Sequence, residues 1–207
     1  MRTPDEVLDF WFGDPPADEA GLMAKVRRWY RGGPDMDREV IDRFGDTVAA
    51  ALRGELDGWA DRPRGRLALV IVLDQFTRNT LRDQPGMYSG DASAQRLAVD
   101  AFDRGWDAQL PWVERLFLLM PLLHAEDLEL QRRACAIAAR LAPLAEPPWD
   151  KMAAMNLEQT AKYLSIIERF GRFPHRNALL GRTSTEAEAE FLKDWDQKQA
   201  PRGAPTG

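Results

Sequence analysis

A chain of 207 residues is long enough for one domain with a sizeable hydrophobic core. Its 44% apolar and 29% charged residues are typical of a soluble globular protein, and its net charge of -5 argues against a nucleic-acid partner, which requires a basic face. The single cysteine, Cys135, excludes an internal disulfide, favours a cytoplasmic location and is expected to be a small buried helical residue. No apolar run reaches the roughly 20 residues of a membrane span, and no signal peptide is expected.

Taken in order, the chain predicts helices separated by short breaks. The first begins at Thr3-Pro4-Asp5-Glu6, which combines a capping threonine, a proline at the first helical position and a glutamate three residues after the cap. The central helix is distinct because residues 67–73 are apolar on every face. Apolar spacing and breaking residues predict helices over about residues 4–12, 37–53, 64–81, 92–104, 112–124, 125–144, 149–170 and from 185 onward. Another helix is predicted between Pro16 and Gly32, through Leu22, Val26 and Trp29-Tyr30.

These elements predict an all-α fold, since no segment has the alternation of a strand. Short connections make consecutive helices antiparallel neighbours, so eight or nine of them favour an array of helical hairpins over a simple four-helix bundle. Pro121 should kink or end the helix that contains it. We expect one helical domain over residues 1–197 and a disordered tail over 198–207.

The central helix becomes polar in its second half. Asp74, Gln75, Arg78 and Asn79 cover one stripe of its surface, about 140° wide at 100° per residue. The stripe suggests the floor of a polar pocket. It is equally compatible with a helix that leaves the core, with Asp74 and Arg78 as an ordinary ion pair at i and i+4.

A second polar cluster follows Pro121. His124 is a titratable base, and Glu126 and Asp127 are carboxylates that could orient it. A structural interpretation is that the two acids favour the positive end of the next helix.

A third cluster follows the predicted end of a long helix. Gly171 and Pro174 fix its backbone direction. Its arginines either complement the helix C-terminus or bind an anion. The polar members are Arg169, Arg172, His175, Arg176 and Asn177. The two histidines of the chain and its scattered acids lack the spacing of a zinc site, so no metal or other cofactor is expected.

The three clusters together resemble the signatures of the bacterial DUF924 family. The matching motifs are Leu73-Asp74-Gln75-Phe76-Thr77-Arg78-Asn79, His124-Ala125-Glu126-Asp127 and the segment from Arg169 to Asn177, together with Val7-Leu8-Asp9-Phe10-Trp11-Phe12 and Trp29-Tyr30. The resemblance implies an all-helical fold of the tetratricopeptide-like superhelical type and implies little about activity.

Two positions depart from the family pattern. Thr77 stands where the family usually has proline, and Tyr163 stands where it usually has histidine. The second change moves a potential proton carrier from a pKa near 6.5 to about 10. Either Tyr163 marks a lost or altered chemistry, or its hydroxyl donates to a ligand.

The sequence leaves three functions open. The first is a pocket for a small anionic molecule, with cofactor-free acid–base catalysis such as hydrolysis, elimination or isomerisation. It requires convergence of the candidate catalytic residues His124, His175, Asp74, Glu126, Asp127 and Tyr163 with the candidate binding residues Gln75, Arg78, Asn79, Arg169, Arg172, Arg176 and Asn177. The second is a tetratricopeptide-like module that binds a peptide or protein in a groove with exposed aromatics. The third is a buried polar network that only joins helices.

Overall fold

The computed structural model describes the backbone of residues 1–199 and the side chains of residues 1–195. The described residues form helices and no strands, which confirms the all-α prediction. The helices are α1 (Pro4–Phe12), α2 (Glu19–Arg31), α3 (Gly33–Leu52), α4 (Pro63–Val70), α5 (Thr77–Thr80), α6 (Asp91–Asp103), α7 (Trp112–Leu123), α8 (Leu128–Leu141), α9 (Asp150–Phe170) and α10 (Glu186–Gln199). A π-helical segment, Ile71–Phe76, joins α4 to α5 without a break. The described residues therefore hold nine separate α-helices, when α4, this segment and α5 are counted as one.

The central helix, made of α4, the π-helical segment and α5, is the core of the fold. Its apolar run from Leu67 to Leu73 is at most 3% exposed, as expected for a helix that is apolar on every face. It packs against α1, α3, α6 and α7. Farther along the chain, α6 packs on α7, α7 on α8 and α8 on α9. The successive hairpins agree with the predicted array. The tetratricopeptide-like superhelical arrangement stays a prediction.

The sequence predicts a uniform α-helix where the structure has the π-helical segment. In this segment the backbone N–H of Thr77 donates to the carbonyl of Val72, five residues earlier. The Thr77 hydroxyl donates to the carbonyl of Leu73 at 2.8 Å and satisfies that buried acceptor. A π-helical turn is frequent at functional sites, and this one contains Asp74.

Several boundaries differ from the sequence-based prediction. Helix α3 begins at Gly33, four residues before its predicted start, and Pro121 does not end α7, which continues to Leu123. Helix α8 begins only at Leu128 because the Asp127 carboxylate accepts from the backbone N–H of Leu130. Helix α10 includes residues 198 and 199, and the predicted disordered segment from 200 onward lies outside the described residues. Cys135 lies in α8 but is half-buried instead of buried.

The described helices include none that is both long enough and apolar enough to cross a membrane. The capping box at Thr3 and Glu6 is present as predicted. An equivalent capping box precedes α10. The backbone N–H of Thr185 donates to the Glu188 carboxylate, and the backbone N–H of Glu188 donates to the Thr185 hydroxyl.

A close approach at Gly90 sets the start of α6 against the π-helical segment. A Cβ atom on Gly90 would lie 2.1 Å from the carbonyl oxygen of Leu73, whereas one on Gly45 would meet nothing within 4 Å. Both glycines have negative φ, so the contrast is one of space. This contact positions Asp91 beside the polar half of the central helix.

We expect Gly90→Ala to lower the free energy of unfolding by about 1–3 kcal/mol, because backbone must shift to admit the methyl group. The matched control Gly45→Ala should raise it by up to about 1 kcal/mol, since alanine is the better helix former. Urea unfolding of both variants measures this. Equal effects of the two substitutions would contradict the tight packing at Gly90.

Candidate functional site

The carboxylate of Asp74 is fully buried and is the centre of a polar network. It accepts hydrogen bonds from Gln75 at 2.5 Å and from Arg78 at 3.1 Å, and its Oδ1 lies 2.7 Å from Nδ1 of His124. Burial by itself raises the pKa of Asp74, but the charges of His124 and Arg78 and the hydrogen bonds outweigh it and hold the pKa below its usual range. The carboxylate is therefore ionised.

The contacts around Arg78 favour one tautomer of His124. Nη2 of Arg78 has two hydrogens and lies 3.1 Å from Asp74 Oδ1, 2.9 Å from Asp91 Oδ1 and 3.1 Å from Nδ1 of His124. When both hydrogens go to the carboxylates, Nδ1 keeps its own proton and donates it to Asp74. In this tautomer Nε2 carries no proton, and no described residue hydrogen-bonds it. This Asp74–His124 dyad is an arrangement that suits a general base.

Arg176 joins this dyad to the loop after α9. Its guanidinium donates to the carbonyl of His124 at 3.0 Å and lies 3.6 Å from Asp91. The ring of Tyr88 lies beneath both arginines, 4.6 Å from Arg176 and 5.3 Å from Arg78. Burial raises the pKa of Asp91, although Arg78 opposes the shift. The third polar cluster therefore reaches the dyad through one side chain, which holds the backbone of His124.

A cavity of about 650 Å³ lies beside the dyad. It runs between α2, the polar half of the central helix, the end of α7 and the first half of α9. Four arginines and no carboxylate line it. The lining residues are Trp11, Val26, Arg28, Trp29, Tyr30, Arg31, Gly32, Gly33, Gln75, Arg78, Asn79, Arg82, Met120, Leu123, His124, Met152, Met155, Asn156, Gln159 and Tyr163.

The predicted polar stripe of the central helix faces this cavity. Gln75, Arg78 and Asn79 line it, and Asp74 lies directly behind them. Asn79 also donates to Asp37 at 2.8 Å, a carboxylate that Arg82 binds with two hydrogen bonds. The stripe is thus both a pocket wall and a set of ion pairs.

Tyr163 also lines the cavity. Its ring packs edge-on against Phe173, with 5.2 Å between ring centres. Burial raises the pKa of its hydroxyl, and a hydrogen bond with Gln159 opposes the shift. The phenol is therefore neutral and able to donate.

The two carboxylates of the second cluster, Glu126 and Asp127, do not line the cavity. Glu126 binds Arg182 through both oxygens, at 2.6 and 2.9 Å, and accepts from the backbone N–H of Phe173 at 2.8 Å. Asp127 caps α8. Both acids thus serve helix and loop ends, so Asp74 is the one of the three predicted orienting carboxylates that contacts His124.

Most of the third cluster is structural as well. Arg172 binds the two oxygens of Glu188 at 2.7 and 2.8 Å, which ties the loop to α10. Arg169 is exposed over the ring of Phe170, and the Asn177 amide donates to Ser184 at 3.0 Å. These residues do not line the cavity, because Gly171, with a φ of 68°, turns the chain toward α10 instead of α2.

His175 also lies away from the cavity. Its ring stacks on Trp195, with 4.8 Å between ring centres and 1° between planes. Burial lowers its pKa to about 4, and the charge of Arg176 adds to the shift. The predicted convergence therefore holds for His124 and Asp74 but not for His175.

Several residues of the cavity were missed by sequence reasoning. Met152, Asn156 and Gln159 were missed, and together with the predicted Tyr163 they form one stripe of α9, at spacings of four, three and four residues. Two amides on a face toward the core could have signalled this stripe. The contribution of α2 carries no such signal, because only Leu22 of that helix is buried. The side chains of residues 1–195 include no group of three or more His, Cys, Asp or Glu able to hold a metal ion.

Fold and site together define an all-helical protein with a buried polar dyad beside a cationic cavity. The chain belongs to the family described as bacterial protein of unknown function (DUF924), whose pattern matches residues 7–196. It is similar to a solved structure of a protein of unknown function, ATU0120, from Agrobacterium tumefaciens, with 35% identity and a TM-score of 0.77 over 92% of this chain and 97% of that one. No curated protein matches the chain.

The lowered pKa of His175 predicts how stability depends on pH. Between pH 6.5 and about 4 the unfolded chain binds a proton at this position that the folded chain does not, so stability falls as the pH decreases. This one residue contributes up to about 1.4 kcal/mol per pH unit. Urea unfolding at several pH values should therefore give a shallower loss of stability for His175→Gln than for the unsubstituted protein. Parallel curves would show that His175 titrates normally.

Proposed function

We propose that the cavity binds a small anionic molecule and that the Asp74–His124 dyad performs acid–base chemistry on it. The observation that carries the proposal is a buried, ionised carboxylate that holds one nitrogen of a cavity-lining histidine. A carboxylate in this position orients the imidazole and stabilises the imidazolium that forms when the histidine accepts a proton. The same pair without a cavity would be an ordinary buried ion pair.

The chemical step follows from the tautomer. Nε2 of His124 takes a proton from the ligand or from a water molecule beside it, and the resulting imidazolium returns that proton to the product or leaving group. Asp74 stays ionised and holds the Nδ1 proton throughout. Tyr163 and Gln75 are positioned to donate hydrogen bonds to a developing negative charge. Proton abstraction, elimination, isomerisation and hydrolysis by an activated water all use this step.

The charge of the wall supports an anionic ligand. The chain as a whole is acidic, with a net charge of -5, yet four arginines and no Asp or Glu line the cavity. The carboxylates that pair with Arg28, Arg78 and Arg82 stand outside the lining. A cationic cavity in an acidic protein concentrates negatively charged solutes.

The alternatives have weaker support. A peptide groove would expose Tyr30, Trp59, Tyr88 and Trp106. Tyr30 is exposed, but Trp59 and Trp106 pack against the core and Tyr88 lies under two arginines. A purely structural network would leave His124 and the amides around it without space for a ligand, whereas they border a cavity of ligand size.

The two histidines of the chain allow a matched test. A set of small carboxylates, phosphates and sulfates is screened for binding by thermal shift, and each compound that binds is then followed by NMR for conversion. We expect His124→Gln to lower the rate of conversion by about 10² to 10⁴, because the proton acceptor is removed. His175→Gln should leave the rate within about twofold, since that ring faces Trp195.

Binding separates the roles further. The His124→Gln variant should still bind the same compounds, because the arginines of the wall are unchanged. Equal rates in the two variants would sink the assignment of His124 as the base. A screen without any binding compound would overturn the pocket itself.

A further inference from the structure

We infer, on the basis of the proposed function, that the ligand is an amphipathic carboxylate. Its apolar body, with one hydrogen-bond acceptor, enters first, and its carboxylate stays at the rim beside Arg31. This orientation follows from the burial of the lining residues, which are exposed at the rim of the cavity and buried at its floor.

The rim of the cavity is cationic. Arg31 and Arg82 are exposed lining residues, as are Tyr30 and Met155. Arg82 is already occupied by the carboxylate of Asp37. Arg31 makes no ion pair or hydrogen bond with another described residue, so its guanidinium is free for a carboxylate. One free cation suits a single negative charge.

The floor of the cavity is mainly apolar. Trp11, Met120, Leu123 and Met152 line it and are each at most 7% exposed. Methionine side chains adapt to ligands of varied shape, and two of these four residues are methionines. A charged group at this depth would lose its hydration without a free partner, whereas an apolar body gains by leaving water.

Two hydrogen-bonding groups at the floor have no partner within the described part of the chain. The indole N–H of Trp11 is buried and unpaired. Asn156 is 8% exposed and lines the cavity, and its amide has no hydrogen bond to the residues around it. A buried donor is rarely left unpaired, so the Trp11 N–H points to an acceptor on the ligand, such as a carbonyl oxygen. The Asn156 amide lines the same cavity and can bind the same group.

The length of the site is consistent with such a molecule. Met152 and Tyr163 bound the α9 stripe, and eleven residues of helix between them span about 16 Å. His124 lies in the wall between the cationic rim and the apolar floor, where it would face the middle of an extended ligand. The acceptor-bearing segment of the ligand is then the part that the dyad reaches.

The first test compares octanoate with octanamide, which differ only in the charged group. We expect octanoate to bind at least tenfold more tightly by calorimetry, and Arg31→Gln to remove most of this preference while octanamide binding stays unchanged. Arg27→Gln is the matched control, because Arg27 is exposed on the same helix and does not line the cavity. It should behave like the unsubstituted protein.

Chain length and the acceptor are tested separately. Affinity should rise about fourfold per methylene from butanoate to octanoate, as apolar surface enters the floor. A carboxylate with a ketone near its far end should bind more tightly than octanoate, and Asn156→Leu should remove that gain. The variant should fold at least as stably, since its leucine replaces an amide that has no protein partner.

The imidazole NMR signals decide between the possible failures. Binding in the cavity shifts the signals of His124 and leaves those of His175 unchanged. If octanamide shifts them as strongly as octanoate, or octyl phosphate binds tenfold more tightly, the carboxylate class is wrong and the pocket stands. If none of these compounds shifts them while other compounds from the screen do, the amphipathic class is wrong. If nothing shifts them, both proposals fail.

Discussion

The ionised carboxylate of Asp74 has no exposed surface, so its charge must be compensated by groups that the fold brings to it. Arg78 and Gln75 come from the same helix, but His124 comes from the end of α7, fifty residues further along the chain. Removal of any partner would leave a buried charge, so the network fixes α7 against the central helix. The constraint that stabilises the fold is the same one that orients the imidazole.

The loop after α9 supports this arrangement from behind. Arg176 holds the carbonyl of His124 and faces Asp91, while Arg172 and Glu126 fix the two ends of the loop by ion pairs with Glu188 and Arg182. The segment from Arg169 to Asn177 is therefore largely structural and supports the dyad from behind. Its arginines neutralise buried acids, and the arginines that border the cavity come mostly from α2 and the central helix.

Sequence reasoning succeeded where the signal was local. The polar stripe of the central helix, the cap at Thr3 and the all-helical pattern depend on residues within one or two turns, and the structure contains all three. It failed for His175 and Glu126, because a histidine and a carboxylate have the same sequence signal whether they face a cavity or close a loop. The π-helical turn was also missed, since its residues fit the pattern of a continuous α-helix.

The sequence by itself determined an acidic, all-helical protein of the DUF924 family, with three polar clusters at defined helix ends. Helical spacing and capping are short-range, so they can be read from the order of the residues. Only the tertiary structure decided which clusters meet, because His124 reaches Asp74 across fifty residues, and His175, although one residue from Arg176, turns to Trp195 instead. The cavity likewise arises from helices distant in sequence, whose shared surface exists only once they pack.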